Sequence, residues 1–169
     1  MPAMTEHKPA PVTLICGPVC SGKTTLAEAY GRETGAVNLP ADDLMLALFG
    51  GDAGADHDRF AARARRYLLD LAIKLSKAGT EVTLDWGFWT QAMREEAAAP
   101  LREAGIPVRL WRIDLAPETW NRLIEGRNRN VENGSARAYI VDEGLARKCL
   151  ALYDPPEDGE CERIILQKA

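Results

Sequence analysis

The chain has 169 residues, 46% of them hydrophobic and 27% charged, which excludes a disordered or fibrous protein and suits one soluble globular core. Its net charge of −4 argues against a long nucleic acid as partner, because a large phosphate footprint calls for a basic face. Cys16, Cys20, Cys149 and Cys161 form no C-x-x-C pair, and only His7 and His57 could join them on zinc, so they read as reduced thiols.

The opening MPAMTEHKPAP lacks the apolar centre of a signal peptide, and no run of about twenty apolar residues follows it. The expectation is a cytoplasmic protein without a membrane role, with residues 1–11 as a flexible leader and residues 12–169 as one domain. Val12–Cys16 (VTLIC) reads as a strand, and the run from Lys23 (KTTLAEAYGRE) as a helix. Residues 36–39 (AVNL) form a second strand candidate closed by Pro40, and Asp42 and Asp43 open a helical stretch, DDLMLALFG. Residues 56–77 carry Phe60, Ala64, Tyr67, Leu68, Leu71 and Leu75 at helical spacing, which predicts an amphipathic helix stopped at Gly79. Residues 81–84 (EVTL) predict a third strand leading into Asp85, and residues 91–103 a helix. Residues 107–115 (PVRLWRIDL) predict a fourth strand, and the helix after it starts at Pro117, where a first turn tolerates proline. That helix runs through TWNRLIEGRN to Asn128, the run RNVENGSAR at 129–137 reads as an arginine-rich loop, 138–153 as a helix and 163–166 (RIIL) as a last strand. Strands alternating with helices imply right-handed crossovers and a parallel sheet covered on both faces, with ligands outside the carboxyl ends of the strands.

Gly17 to Thr24, GPVCSGKT, satisfies G-x-x-x-x-G-K-[ST] between a strand and a helix, which is the context that gives the pattern its meaning. Gly17 and Gly22 let backbone N–H groups approach phosphate oxygens, Pro18, Val19, Cys20 and Ser21 complete the cradle, and the helix N-terminus with Thr25 adds unpaired donors. Lys23 would bridge terminal phosphates, and Thr24 would offer its hydroxyl to Mg²⁺. Asp85 either holds Mg²⁺ or caps the following helix. Asp42 and Asp43 pose one choice: one of them accepts the proton of an attacking hydroxyl, Asp42 ahead of Asp43, or both simply open a helix. Arg122, Arg127 and Arg129 either close over a nucleotide or form a solvated basic face. Trp86, Phe88 and Trp89 either wall a pocket or pack the core.

With the motifs GPVCSGKTT, ADDLMLALFG, VTLDWGFWTQAMREE and WNRLIEGRN, the chain resembles the small P-loop kinases of the nucleoside-kinase-like group, including those labelled AAA-type ATP-binding proteins. Chloramphenicol phosphotransferases, zeta-toxin kinases and polynucleotide 5′-hydroxyl kinases belong to the same broad group. The resemblance implies the α/β class: a P-loop three-layer αβα sandwich with a five-stranded parallel sheet in the order 2-3-1-4-5 and a mobile lid at about residues 128–137. By position it makes Asp42 the general base, Asp85 the acidic residue that organises Mg²⁺, and Arg127 an arginine near the nucleotide. With no N-K-x-D run to read guanine, ATP is the expected nucleotide. Many relatives carry an arginine three residues after the first aspartate, where this chain has Met45; a phosphate-bearing acceptor or nucleic-acid end is then less expected, unless Arg94 substitutes. The resulting expectation is an ATP- and Mg²⁺-dependent kinase acting on a small-molecule hydroxyl, with Lys23, Asp42 and Arg127 catalytic. Its rivals are a polynucleotide-end kinase and a non-catalytic ATP-binding regulatory module.

Overall fold

The computed structural model describes residues 8–51 and 53–167. Five strands, β1 (Val12–Cys16), β2 (Val37–Asn38), β3 (Val82–Gly87), β4 (Val108–Leu115) and β5 (Arg163–Gln167), form one sheet in the order β2-β3-β1-β4-β5. Every pairing is parallel, with Val12 of β1 opposite both Val82 and Val108. The helices are α1 (Lys23–Thr34), α2 (Ala41–Phe49), α3 (His57–Lys77), α4 (Gln91–Glu103), α5 (Pro117–Glu132) and α6 (Glu143–Leu152). The predicted αβα sandwich and strand order are therefore present, and the sheet's central strands are apolar because both faces are covered.

Side-chain alternation assigns the two faces. Val12, Leu14 and Cys16 of β1 pack with Val82 and Leu84 of β3 against Leu68, Leu69 and Ala72 of α3 and Ala97, Ala98 and Leu101 of α4. Ile15 of β1 turns to the opposite face, where it meets Ala27 of α1 and Trp111 and Ile113 of β4. The period of two that puts Leu84 under α3 and α4 also puts Thr83 and Asp85 on the α1 side, beside the glycine loop. Cys16, fully buried at the end of β1, has its thiol pushed up to about 12 by that burial, and all four cysteines are free.

The element boundaries correct the sequence reading in three places. Asp85 lies inside β3, which continues through Trp86 to Gly87. The run read as a loop at 129–137 is partly helical: Arg129 to Glu132 continue α5, because no helix breaker follows Asn128 until Asn133 caps the helix and Gly134 turns the chain at φ 75°. The last helix starts at Glu143 and not at 138, because Asp142 accepts a hydrogen bond from the Leu145 N–H and caps it there. Residues 133–142 are irregular and tied down: the Asn128 side chain donates to Val141 O at 2.8 Å and accepts from Val141 N at 2.9 Å, while Arg137 donates to Leu46 O of α2. Residues 1–7 of the expected leader lie outside the described residues. From Ala10 the backbone is anchored, with Ala10 N donating to Ser76 O and Val82 N donating to Pro11 O. Among the described residues no helix is long and apolar enough to cross a membrane.

Candidate active site

Between β1 and α1 the loop bends through left-handed backbone at Cys20 (φ 60°) and Gly22 (φ 88°), conformations that the missing Cβ makes easy at Gly22 and that strain Cys20. A Cβ on Gly17 would stand 2.6 Å from Ser21 Oγ, so the loop closes this tightly only with glycine there. Trp120 of α5 braces the loop from outside by donating its indole N–H to Val19 O at 2.6 Å, and Gly17 N donates to Gly87 O at the end of β3. Lys23 folds back over the loop, its ammonium donating to Pro18 O at 2.6 Å, Gly17 O at 3.1 Å and Ser21 Oγ at 3.3 Å.

This loop forms one wall of a cavity of about 500 Å³ at the carboxyl ends of the strands, where an open parallel sheet takes its ligands. Val19, Cys20, Ser21, Gly22, Thr24 and Thr25 line it together with Lys23. Asp42, Asp85, Arg122 and Arg127 also face it. Gly17 and Pro18 act from behind, through the carbonyls that hold Lys23. Arg129 is the one expected site residue turned away: it is exposed on α5 and does not line the cavity, since two residues along a helix from Arg127 is roughly half a turn.

Thr24 Oγ1 donates to Asp85 Oδ2 at 2.7 Å, and Asn38 Nδ2 donates to the same oxygen at 3.2 Å while Thr83 Oγ1 holds the Asn38 carbonyl at 3.0 Å. The short β2 thus serves to aim Asp85. The hydroxyl and carboxylate are hard oxygen donors of the kind that suit Mg²⁺ beside phosphates. Among the described residues no group of three or more His, Cys, Asp or Glu could enclose a metal, so a cation here would complete its shell with water and substrate oxygens.

Three ionisable groups of the cavity, Lys23, Asp42 and Asp43, are shifted towards neutrality. Burial drives the Lys23 pKa down to about 8, against the pull of the Asp85 carboxylate. Asp42 keeps contact with water in the open cleft, yet the protein walls crowd it enough that desolvation raises its pKa, opposed first by the Arg127 guanidinium. Asp43 is raised in the same direction by desolvation and by its acidic neighbours Asp85 and Asp42. Arg127 reaches the loop through Nη1, 3.5 Å from Cys20 Sγ, while its Nε is buried without a hydrogen-bond partner.

Two cavity residues carried no distinguishing sequence signal. Arg65 lines the site from α3, but it sits in the run RARRY and reads there like any solvated arginine. Asn130 lies about one helical turn from Arg127, and Asp43, weighed beside Asp42, lines the cavity with it. Arg94 does not take over from the arginine replaced by Met45. It is buried, donating from Nη1 to Asp154 O at 2.8 Å and to Phe88 O at 3.3 Å, and it locks the segment after α6 to the turn after β3. Met45 is itself 2% exposed and belongs to the core. Arg94→Met should therefore lower unfolding free energy by about 2–4 kcal/mol, read by urea denaturation, by stranding two carbonyls that now accept from a cation. Of the three aromatics after Asp85, Phe88 is core, whereas Trp86 and Trp89 line the cavity, Trp86 pinned by its N–H to Leu39 O at 2.7 Å.

A search of curated protein sequences gave no match. Among solved structures, APS kinase CysC from Mycobacterium tuberculosis, in complex with AMPPNP and APS, is 17% identical with a TM-score of 0.66, over 96% of this chain and 91% of that one. Kti12 from Chaetomium thermophilum, in complex with ADP-AlF3, is 18% identical with a TM-score of 0.67, over 93% and 88%. A gluconokinase from Sinorhizobium meliloti is 13% identical with a TM-score of 0.57, over 95% and 82%. At such identities the likeness is one of fold. The sequence model of the AAA domain matches residues 12–150, from the first residue of β1 into α6, and by that match the chain belongs to the AAA domain family of P-loop proteins.

Proposed function

We propose that this protein is an ATP- and Mg²⁺-dependent phosphotransferase that moves the γ-phosphoryl group of ATP to a hydroxyl of a small molecule. The observation that carries the reading is a carboxylate, Asp42, facing the same cavity as the phosphate loop and the Thr24–Asp85 pair. A purely nucleotide-holding site has no use for an acid-base group there, and desolvation raises its pKa towards the range where a base works near neutrality. The likeness in fold to an APS kinase and a gluconokinase supports the same class.

In this reading the loop N–H groups, Lys23 and the α1 N-terminus hold the β- and γ-phosphates, while Arg127 and Arg122 stabilise charge on the transferring group. Thr24 and Asp85 would hold Mg²⁺, which when bound neutralises charge between the phosphates. Asp42 accepts the acceptor's hydroxyl proton as the new bond to phosphorus forms and ADP departs. Asp42→Asn is expected to lower kcat for the best acceptor by about a hundredfold or more with the Kd for ATP little changed, measured by product mass and by calorimetry. Full phosphotransfer by this variant overturns the assignment of the base. Tight ATP binding with no acceptor-stimulated turnover across a broad metabolite panel favours a regulatory module instead.

A further inference from the structure

A second, smaller cavity of about 170 Å³ lies between α3 and α4, and it shares two wall residues, Arg65 and Trp86, with the nucleotide-sized cavity. One part of its wall is apolar, with Leu69 from α3, Ala97 and Pro100 from α4, and the stacked rings of Trp86 and Phe88, whose centroids are 5.7 Å apart at 26°; Arg65, Arg66 and Glu96 add polar surface. The polar atoms of those two aromatic residues are already engaged, Trp86 Nε1 with Leu39 O and Phe88 O with Arg94 Nη1. Its remaining charges, Arg65, Arg66 and Glu96, are exposed, and Arg66 pairs with Asp70, so they set no strong preference for an ionic ligand.

We infer that this slot receives the body of the phosphoryl acceptor and that the acceptor is an uncharged alcohol built on a single six-membered ring, aromatic or alicyclic. The inference rests on the phosphotransfer reading above and goes further by naming the substrate class. Size supports one ring, since an apolar cavity of about 150 Å³ takes one benzene. The apolar part of the wall favours a ring over a polyol, whose hydroxyls would find side-chain partners only at Arg65, Arg66 and Glu96. Position favours the pairing: Trp86 and Arg65 line both cavities, so a ring seated beside Trp86 is adjacent to the cavity that Asp42 faces, which its short hydroxymethyl or hydroxyethyl arm would enter. The step conserves atoms: the bond from the γ-phosphorus to the bridging oxygen of ATP breaks, the alcohol oxygen bonds that phosphorus, and the hydroxyl proton passes to Asp42.

Ala62 lines the slot and is exposed, so Ala62→Trp can fill it without disturbing the core. The test compares kcat/KM with ATP and Mg²⁺ for 2-phenylethanol and cyclohexylmethanol against glucose and glycerol, in the parent and in Ala62→Trp. In parallel, binding of 2-phenylethanol without ATP is followed by saturation-transfer NMR. The expected result is ring alcohols favoured by about tenfold or more, with a loss of similar size in Ala62→Trp for ring alcohols and an ATP affinity within about twofold of the parent. Better turnover of the polyols, or ring-alcohol turnover untouched by Ala62→Trp, overturns the inference. Ring-alcohol binding lost in Ala62→Trp with no acceptor phosphorylated supports the slot and overturns the phosphotransfer reading. Polyol phosphorylation without ring-alcohol binding does the reverse, and absence of both overturns both.

Discussion

Lys23→Met is expected to lower kcat/KM for phosphotransfer by about a thousandfold, because it removes the ammonium that now rests on the Gly17 and Pro18 carbonyls and, in the phosphotransfer reading, turns from them to the phosphates. The parent should betray that group in its pH profile. Burial has brought Lys23 to about 8, so the free protein loses this positive charge as pH rises through that value, and kcat/KM should fall there. Bound phosphates restore a charge partner and raise the pKa again, so kcat itself should stay flat over the same window. On the acid side the sign is opposite. Asp42 accepts a proton only when ionised, and its pKa is raised, so kcat/KM should climb with pH through a value above the ordinary carboxylate range. Lys23→Arg provides the control: a guanidinium stays charged, which abolishes the alkaline limb even though its planar fork replaces a point charge poorly. An unchanged alkaline limb in Lys23→Arg would assign that limb to another group.

What the sequence made legible follows from how local each signal is. GPVCSGKT is read from spacing and its place between a strand and a helix because each fixed position has a local job, Gly17 and Gly22 in the backbone and Lys23 and Thr24 through their side chains. Parallel pairing is read from alternating strands and helices because the crossovers constrain it, whereas the strand order came from the family resemblance. Arg65 and Arg94 mark where this stops. Both sit in helical runs rich in charge, and only packing makes one a cavity wall and the other a buried clamp on Asp154 and Phe88. The helix boundaries failed for a similar reason. Arg129 to Glu132 could not be recognised as helical while the polar run RNVENGSAR suggested a loop, and Asp142 as an N-cap is visible only once Leu145 N is seen to need an acceptor. The role of β2, two residues long, depends wholly on Asn38 meeting Asp85 across a strand distant in sequence.

Arg127→Met should separate function from stability. Its Nε is buried without a partner and its one contact to the loop is a long hydrogen bond to a thiol, so the folded protein gains little from it and carries an uncompensated desolvation of about 1–3 kcal/mol. Replacing it by methionine is accordingly expected to leave the unfolding free energy unchanged or raise it by about 1 kcal/mol, while lowering kcat by about a thousandfold, the trade of a site kept ready for a charge that develops only during transfer. The pH profile offers an independent sign. Arg127 now lowers the pKa of both Lys23 and Asp42, so its removal should move the alkaline and the acid limbs of kcat/KM upward together. A residue that merely packed α5 against the loop would cost stability and leave both limbs in place. Lowered stability with unshifted limbs would therefore remove Arg127 from the phosphoryl site and return it to the structural face of α5.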